Sequence, residues 1–311
     1  MRYGQGDFQY EIVEDWVQLP EGWSFVDVAG VVVDREDNVY VLNRSEHPVM
    51  VFNREGKLLS DWGGGFFRQA HGSCIAPDGS IFCTDDGHHV VAKFTPSGEL
   101  LMMLGTKGEP SDTGYTRTWE VWQSVSTIRR AGPPFNRPTG VAVSSAGDFF
   151  VSDGYGNCRV HRFGADGTLK LSWGEPGGLP GQFRLPHDVA LDATGRVLVA
   201  DRENSRIQLF GQNGEFLSQW YDVIRPTGLF VDNGGLVYVS EFSMRISVFS
   251  PDGELLSRWG NQTFDRDTAL LHAPHAVAVD SRGDLYVGEV SKTYAHMDKG
   301  AHSIHKFRRV S

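Results

Sequence analysis

The sequence predicts an all-β protein, a six-bladed β-propeller, on three observations. A pattern of strands and turns recurs six times along the 311 residues. Each copy holds short β-rich runs separated by turn residues. The sixth copy lacks its fourth run, and a matching run stands near the N-terminus. The copies begin at Phe25, Phe67, Asn136, Arg184, Ile224 and His272.

The elements of one copy follow a fixed order. In IRPTGLFVDNGGLVYVSEFSMRISVFSPDGELLSRWG, which starts at Ile224, a short apolar strand leads into a D-x-x-G-type turn and a second strand. A polar turn, a third strand ending in Phe, a glycine turn and a fourth strand ending near Trp-Gly complete the copy. Because a lone blade cannot cover both of its faces, we expect six blades to pack around one axis as a single domain, residues 1–311.

The last blade is expected to use strands from both ends of the chain. The sixth copy ends after SIHKFRRV, its third strand. The segment YEIVEDW near the N-terminus resembles LLSDWG, the fourth strand of the first copy. We therefore predict that residues 8–16 complete the last blade, which would leave no open edge between the first and last blades.

Composition narrows the function classes. The formal net charge is −10 and the sequence pI is about 5.5. No clustered basic face is visible, so nucleic acid is not an expected partner. The first residues do not read as a signal peptide, and no apolar run reaches the roughly 18 residues of a membrane span. We expect a monomeric cytoplasmic protein that does not bind membranes, with its three cysteines as free thiols.

A histidine recurs at one position of the aligned copies. It stands at the start of the first strand in the second, fourth and sixth copies, as His71, His187 and His275. A first strand in this position lines the central channel, so alternate blades would direct three imidazoles toward one axis. Three converging histidines suit a divalent metal, above all zinc. Taken singly, each could instead be a hydrogen-bonded channel histidine.

A second set of polar residues follows the second strand, at the same end of the propeller. Arg44 and Arg202 occupy matching places in the first and fourth copies, and Tyr155 lies one step further along in the third. Guanidinium groups bind carboxylates through paired hydrogen bonds, and a phenol near a cation can transfer a proton. Salt bridges between blades for the arginines, and rim packing for the tyrosine, remain the alternatives.

The motifs resemble a known family. The copies resemble NHL repeats, and SDGY at 152–155 followed by ADREN at 200–204 is similar to the peptidyl-α-hydroxyglycine α-amidating lyase domain. The resemblance implies zinc on His71, His187 and His275. It also implies Tyr155 as base, with Arg44 and Arg202 acting at the site. The family reaction cleaves the C–N bond of a carbinolamide to an amide and glyoxylate without a redox cofactor, so the substrate is expected to be an anionic small molecule or peptide derivative.

The resemblance has departures. In the family, an aspartate after the last channel histidine takes part in a structural calcium site, whereas Ala276 follows His275 here. Calcium is therefore not expected. Asp188 follows His187 instead, and we expect it to support that histidine or to act as an added general base.

Two other function classes stay open. A metal-dependent hydrolase of lactones, esters or phosphotriesters would use the same three histidines. A non-catalytic NHL interaction module would need no metal. Metal content separates the module from both enzymes, and glyoxylate release separates the lyase from the hydrolase.

Three segments interrupt the regular spacing of the copies. The longest, residues 106–135, contains Tyr115, Trp119 and Trp122, which we expect to pack and to shape the pocket. Residues 261–273 and 291–303 are expected to add to the same rim.

Overall fold

A computed structural model describes residues 1–260 and 269–310, and its strands form the six blades predicted from the sequence. The chain divides into two compact units. The second unit consists of residues 67–226, and the first unit consists of the remainder. That the two units form one domain stays a prediction. Neither α-helix in the described part of the chain, at six and five residues, could cross a bilayer.

The first unit begins with an antiparallel pair of strands and continues with the first blade. Its first six strands are β1 (Arg2–Gln5), β2 (Phe8–Val13), β3 (Val28–Val33), β4 (Val39–Asn43), β5 (Val49–Phe52) and β6 (Leu58–Trp62). In the turn between β3 and β4, Asp34 Oδ1 accepts the N–H groups of Glu36 at 2.9 Å and Asn38 at 2.8 Å. Asp37 takes a left-handed φ of 62° there, whereas the next blade places Gly79 at this point.

The second unit contains three four-stranded antiparallel sheets. Their strands are β7 (Ala70–Ile75), β8 (Ile81–Asp85), β9 (Val90–Phe94), β10 (Leu100–Leu104), β11 (Pro138–Val143), β12 (Phe149–Asp153), β13 (Arg159–Phe163), β14 (Leu169–Trp173), β15 (Pro186–Leu191), β16 (Val197–Asp201), β17 (Arg206–Phe210) and β18 (Phe216–Trp220). Aromatic side chains fill the space between neighbouring sheets, and the ring centroids of Phe82 in β8 and Phe149 in β12 lie 4.9 Å apart. Truncating one such ring to alanine typically costs about 3–5 kcal/mol.

The segment 106–135 belongs to the second unit and packs against its blades. It contains the helix α1 (Val121–Ser126), and Tyr115 packs against the same apolar cluster as Tyr155. The expectation that its tryptophans also pack was wrong, because Trp119 is 94% exposed and Trp122 is 57% exposed. The apolar contacts of the segment come instead from the buried Val125 and Ile128.

The chain then returns to the first unit and completes two more sheets. The elements are β19 (Pro226–Val231), β20 (Val237–Glu241), β21 (Arg245–Phe249), β22 (Leu255–Gly260), β23 (Pro274–Val279), β24 (Leu285–Glu289), the helix α2 (Ser291–Ala295) and β25 (Ile304–Arg309). Most of the expected rim segment at 261–273 lies outside the described residues.

The strand pairing in the last blade confirms the prediction that an N-terminal strand completes it. Strand β2 pairs antiparallel with β25, with Ile12 opposite Phe307. The structure adds a fifth strand that the sequence did not predict, because β1 pairs with the free side of β2 and the sheet order is β1-β2-β25-β24-β23. Trp16 follows the pair and packs against Phe52 and Tyr286.

A β-bulge interrupts the first strand of the blade where the histidines stand. In β15 the pairing with β16 passes from Pro186 directly to Asp188, and in β23 it passes from Pro274 to Ala276. His187 and His275 are the residues left out of these ladders. A bulge bends the strand and redirects a side chain, so each histidine is turned out of the regular pleat.

Buried acids end the second strands of the second to sixth blades. They are Asp85, Asp153, Asp201, Glu241 and Glu289. Asp201 Oδ1 accepts the N–H of Arg184 at 2.8 Å, and Asp85 accepts the N–H groups of Arg68 at 2.7 Å and Gln69 at 3.0 Å. These bonds fix the residues that lead into the histidine-bearing strands.

Candidate metal and catalytic site

The three predicted histidines come together. One potential ligand atom from each of His71, His187 and His275 lies within 4.8 Å of the other two, and all three side chains are buried. His71 Nδ1 donates to the carbonyl of Thr139 at 2.8 Å, and His275 Nδ1 donates to the carbonyl of Ala29 at 2.8 Å. With Nδ1 protonated, Nε2 of these two rings carries the lone pair that a metal ligand needs. The donor set therefore fits a divalent cation such as zinc.

Tyr155 adjoins two of these imidazoles. Its hydroxyl lies 3.2 Å from Nε2 of His187 and 3.3 Å from Nε2 of His71. The tyrosine is 3% exposed and its ring meets both imidazoles edge to face. The phenol predicted from the SDGY motif is therefore in contact with two predicted ligands.

Arg202 reaches the same hydroxyl. Its Nη1 donates to the Tyr155 hydroxyl at 3.4 Å, and its Nε donates to Glu203 Oε1 at 2.9 Å. Burial raises the pKa of Glu203, but Arg202 and Arg225 outweigh this and hold it below its ordinary value. The charged carboxylate anchors the Arg202 guanidinium at the phenol, although Arg202 itself is fully buried.

Arg44 is held by an ion pair within the first unit. Its Nη1 donates to Oδ2 of the buried Asp27 at 3.2 Å and to Thr293 Oγ1 at 3.3 Å. Asp27 and Arg44 flank β3 and β4 of one blade, so this ion pair differs from the alternative of a salt bridge between blades. The part of Arg44 in substrate binding stays a prediction.

Asp188 contacts its own strand and the neighbouring blade. Its Oδ1 accepts the N–H of Val189 at 2.9 Å. A Cβ at Gly140 would lie 2.2 Å from the same oxygen, so the carboxylate requires glycine there. Burial raises the pKa of Cys74 to about 11, and Asp188 adds to this rise, so the thiol stays protonated. A role for Asp188 as a base stays a prediction.

Sequence reasoning missed Arg137. Its guanidinium carbon lies 4.8 Å from the centre of the Tyr155 ring, closer than that of Arg202 at 5.5 Å. Arg137 precedes Pro138 in the NRPTG segment and takes a left-handed φ of 64°, as Leu185 does before Pro186. The fifth copy holds Arg225 at the same position, so the recurring R-P-T-G motif was the signal in the sequence for this arginine.

Comparison with known proteins gives both repeats and relatives. A family model described as NHL repeat matches residues 135–163 and 183–210. Peptidyl-alpha-hydroxyglycine alpha-amidating lyase 1 of Drosophila melanogaster is 34% identical over 188 residues, 56% of this chain and 31% of that protein. Peptidyl-glycine alpha-amidating monooxygenase B of Xenopus laevis is 28% identical over 326 residues, 91% of this chain and 35% of that protein. The chain spans about a third of the length of these relatives.

A solved structure gives the same fold. A streptogramin B lyase matches with a TM-score of 0.62 and 14% identity, over 96% of this chain and 97% of that chain. This likeness concerns the fold alone, whereas the two relatives by sequence are named as enzymes, which supports an enzyme here. The chain is a six-bladed β-propeller that matches the NHL repeat over residues 135–163 and 183–210 and is similar to peptidyl-α-hydroxyglycine α-amidating lyase.

Proposed function

We propose that the protein is a zinc-dependent lyase that cleaves the C–N bond of an N-acyl-α-hydroxyglycine. The observation that carries the proposal is the Tyr155 hydroxyl, which lies within 3.4 Å of nitrogen atoms of His71, His187 and Arg202. A phenol in contact with a guanidinium and two imidazoles is suited to hold and move a proton.

The reaction balances without an added reactant. The substrate hydroxyl loses its proton, its carbon–oxygen bond becomes a carbonyl, and the C–N bond breaks with its electron pair passing to nitrogen. The nitrogen takes up a proton, so the products are an amide and glyoxylate. Tyr155 is the proposed proton carrier, because its hydroxyl is the acid–base group that contacts the histidines.

The histidines and arginines of the site have separate proposed tasks. His71, His187 and His275 would hold the cation, and a bound divalent cation supplies Lewis acidity that lowers the pKa of a nearby hydroxyl. Arg202, anchored by Glu203, binds the α-carboxylate next to the phenol. Arg44 is proposed to favour the same anionic substrate from the end of β4.

The test uses N-benzoyl-α-hydroxyglycine with protein loaded with zinc. Benzamide and glyoxylate in equal amounts support the proposal. Benzoate instead of benzamide, or turnover confined to lactones, esters or phosphotriesters, would favour a hydrolase. A protein that holds no metal and turns over none of these substrates would favour an interaction module.

A further inference from the structure

A polar cavity of about 560 Å³ lies within the second unit. Residues 110–117 of the segment 106–135 form one wall. The other is formed by residues that precede β7 and β11 and by residues between β8 and β9. Three arginines line it, Arg68, Arg117 and Arg137, against two aspartates, Asp86 and Asp112. Asp112 is ion-paired with Arg130, which does not line the cavity. The lining thus has an excess of positive charge.

Arg137 connects this cavity with the catalytic site. It lines the cavity, and its guanidinium lies over the Tyr155 ring. Described residues use two of its five guanidinium N–H donors: Nη1 donates to the Tyr115 hydroxyl at 2.9 Å and Nη2 donates to Asp86. Three donors therefore remain for a ligand in the cavity.

The surroundings keep Arg137 charged and in place. Burial works against its charge, but Asp86, Tyr115 and Tyr155 raise the pKa of Arg137 above its ordinary value. His89 Nδ1 accepts the backbone N–H of Arg137 at 3.0 Å. Burial and Arg137 lower the pKa of His89, which favours the neutral ring that this contact requires.

We propose that the cavity binds a second anionic group of the substrate, a carboxylate on the acyl side of the C–N bond, with Arg137 as its principal ligand. This rests on the proposed function, because Arg202 at the phenol already serves the α-carboxylate. The acyl group then extends past the Tyr155 ring toward Arg137, while Arg68 and Arg117, both exposed, draw the anion in from the mouth of the cavity. The substrate class is an N-acyl-α-hydroxyglycine with an acidic acyl group.

The kinetic test compares N-succinyl- with N-butyryl-α-hydroxyglycine, which differ by the second carboxylate. The wild-type protein is expected to favour the succinyl substrate about 10- to 100-fold in kcat/KM, mainly through KM, as for one charge-assisted bidentate contact. Arg137→Gln should abolish this preference, so that the ratio of the two kcat/KM values falls to about one. Equal kcat/KM values for the two substrates in the wild-type protein would overturn the proposal.

A second pair of variants covers the case in which Arg137→Gln does not fold. Arg68→Gln and Arg117→Gln change exposed side chains, and together they should reduce the succinyl preference severalfold. Arg282→Gln is the matched control, because Arg282 is exposed and lies in the first unit. An unchanged preference in the Arg68→Gln/Arg117→Gln protein, or an equal fall in Arg282→Gln, would also overturn the proposal.

A binding measurement separates this proposal from the proposed function. Succinamate and butyramide are the amide products of the two substrates, and calorimetry detects their binding without turnover. We expect wild-type protein to bind succinamate more tightly than butyramide and Arg137→Gln to lose this difference. If it does so while no glyoxylate forms from any substrate, the cavity is supported and the lyase function fails. Glyoxylate release with equal binding of both amides would overturn the cavity alone.

Discussion

The Tyr155 hydroxyl and Nε2 of His187 lie 3.2 Å apart, although the two residues belong to different blades. If this phenol transfers a proton in the transition state, Tyr155→Phe should lower kcat by roughly 10²- to 10⁴-fold, the usual range for a lost general acid or base. Metal content should be unchanged, since a phenylalanine ring fills the same space. Steady-state kinetics and elemental analysis of the same sample check this. A variant of normal rate would show that the hydroxyl takes no part in the chemistry.

Metal binding should depend on each of the three histidines. We expect about one tightly bound divalent cation per chain, and His71→Ala, His187→Ala or His275→Ala should reduce metal content and activity together, because each removes one of only three ligands. His47→Ala is the control, since His47 stacks on Trp23 and bonds to Asp61. Full metal occupancy in His187→Ala, measured by plasma mass spectrometry, would be incompatible with the site.

The last blade should depend on the N-terminal pair of strands. Deleting residues 1–16 removes β2 and the buried Tyr10 and Trp16, and each large aromatic alone is typically worth about 3–5 kcal/mol. It also leaves the edge of β25 unpaired. Deleting only residues 1–6 removes β1 and keeps the β2–β25 pairing, so it is the matched control. Thermal unfolding should show a large loss for the longer deletion and a small one for the shorter.

Acid should destabilise the protein through Glu289. Burial raises the pKa of this carboxyl, but His305 and Lys299 outweigh it and hold the pKa at about 2, below the ordinary 4.5. Its charged form therefore stabilises the fold above about pH 4.5, and this contribution is lost as pH falls toward 2, on the order of 3 kcal/mol. Urea unfolding between pH 5 and pH 2 should depend less on pH in Glu289→Gln. Glu254→Gln, at an exposed site, should keep the wild-type slope.

The repeats explain which features could be predicted. His71 and His187 stand at equivalent positions of a recurring unit, so alignment alone indicated that they converge. Arg137 recurs as Arg225 in the fifth copy, so a comparison of copies could have revealed it, whereas β1 has no counterpart in the other copies. The exposure of Trp119 followed from the path of an irregular segment, which neither periodicity nor composition determines.

The pairing of β2 with β25 also has a consequence for biosynthesis. Glu11 and Arg308, which form an ion pair across it, are 297 positions apart in the chain. At about 5–20 residues per second, a ribosome needs roughly 15 to 60 s between synthesising the two strands. During that interval β2 can pair only with β1, although local blades can already form. The last blade is therefore expected to form after the other five, because it cannot be completed until β25 has been synthesised.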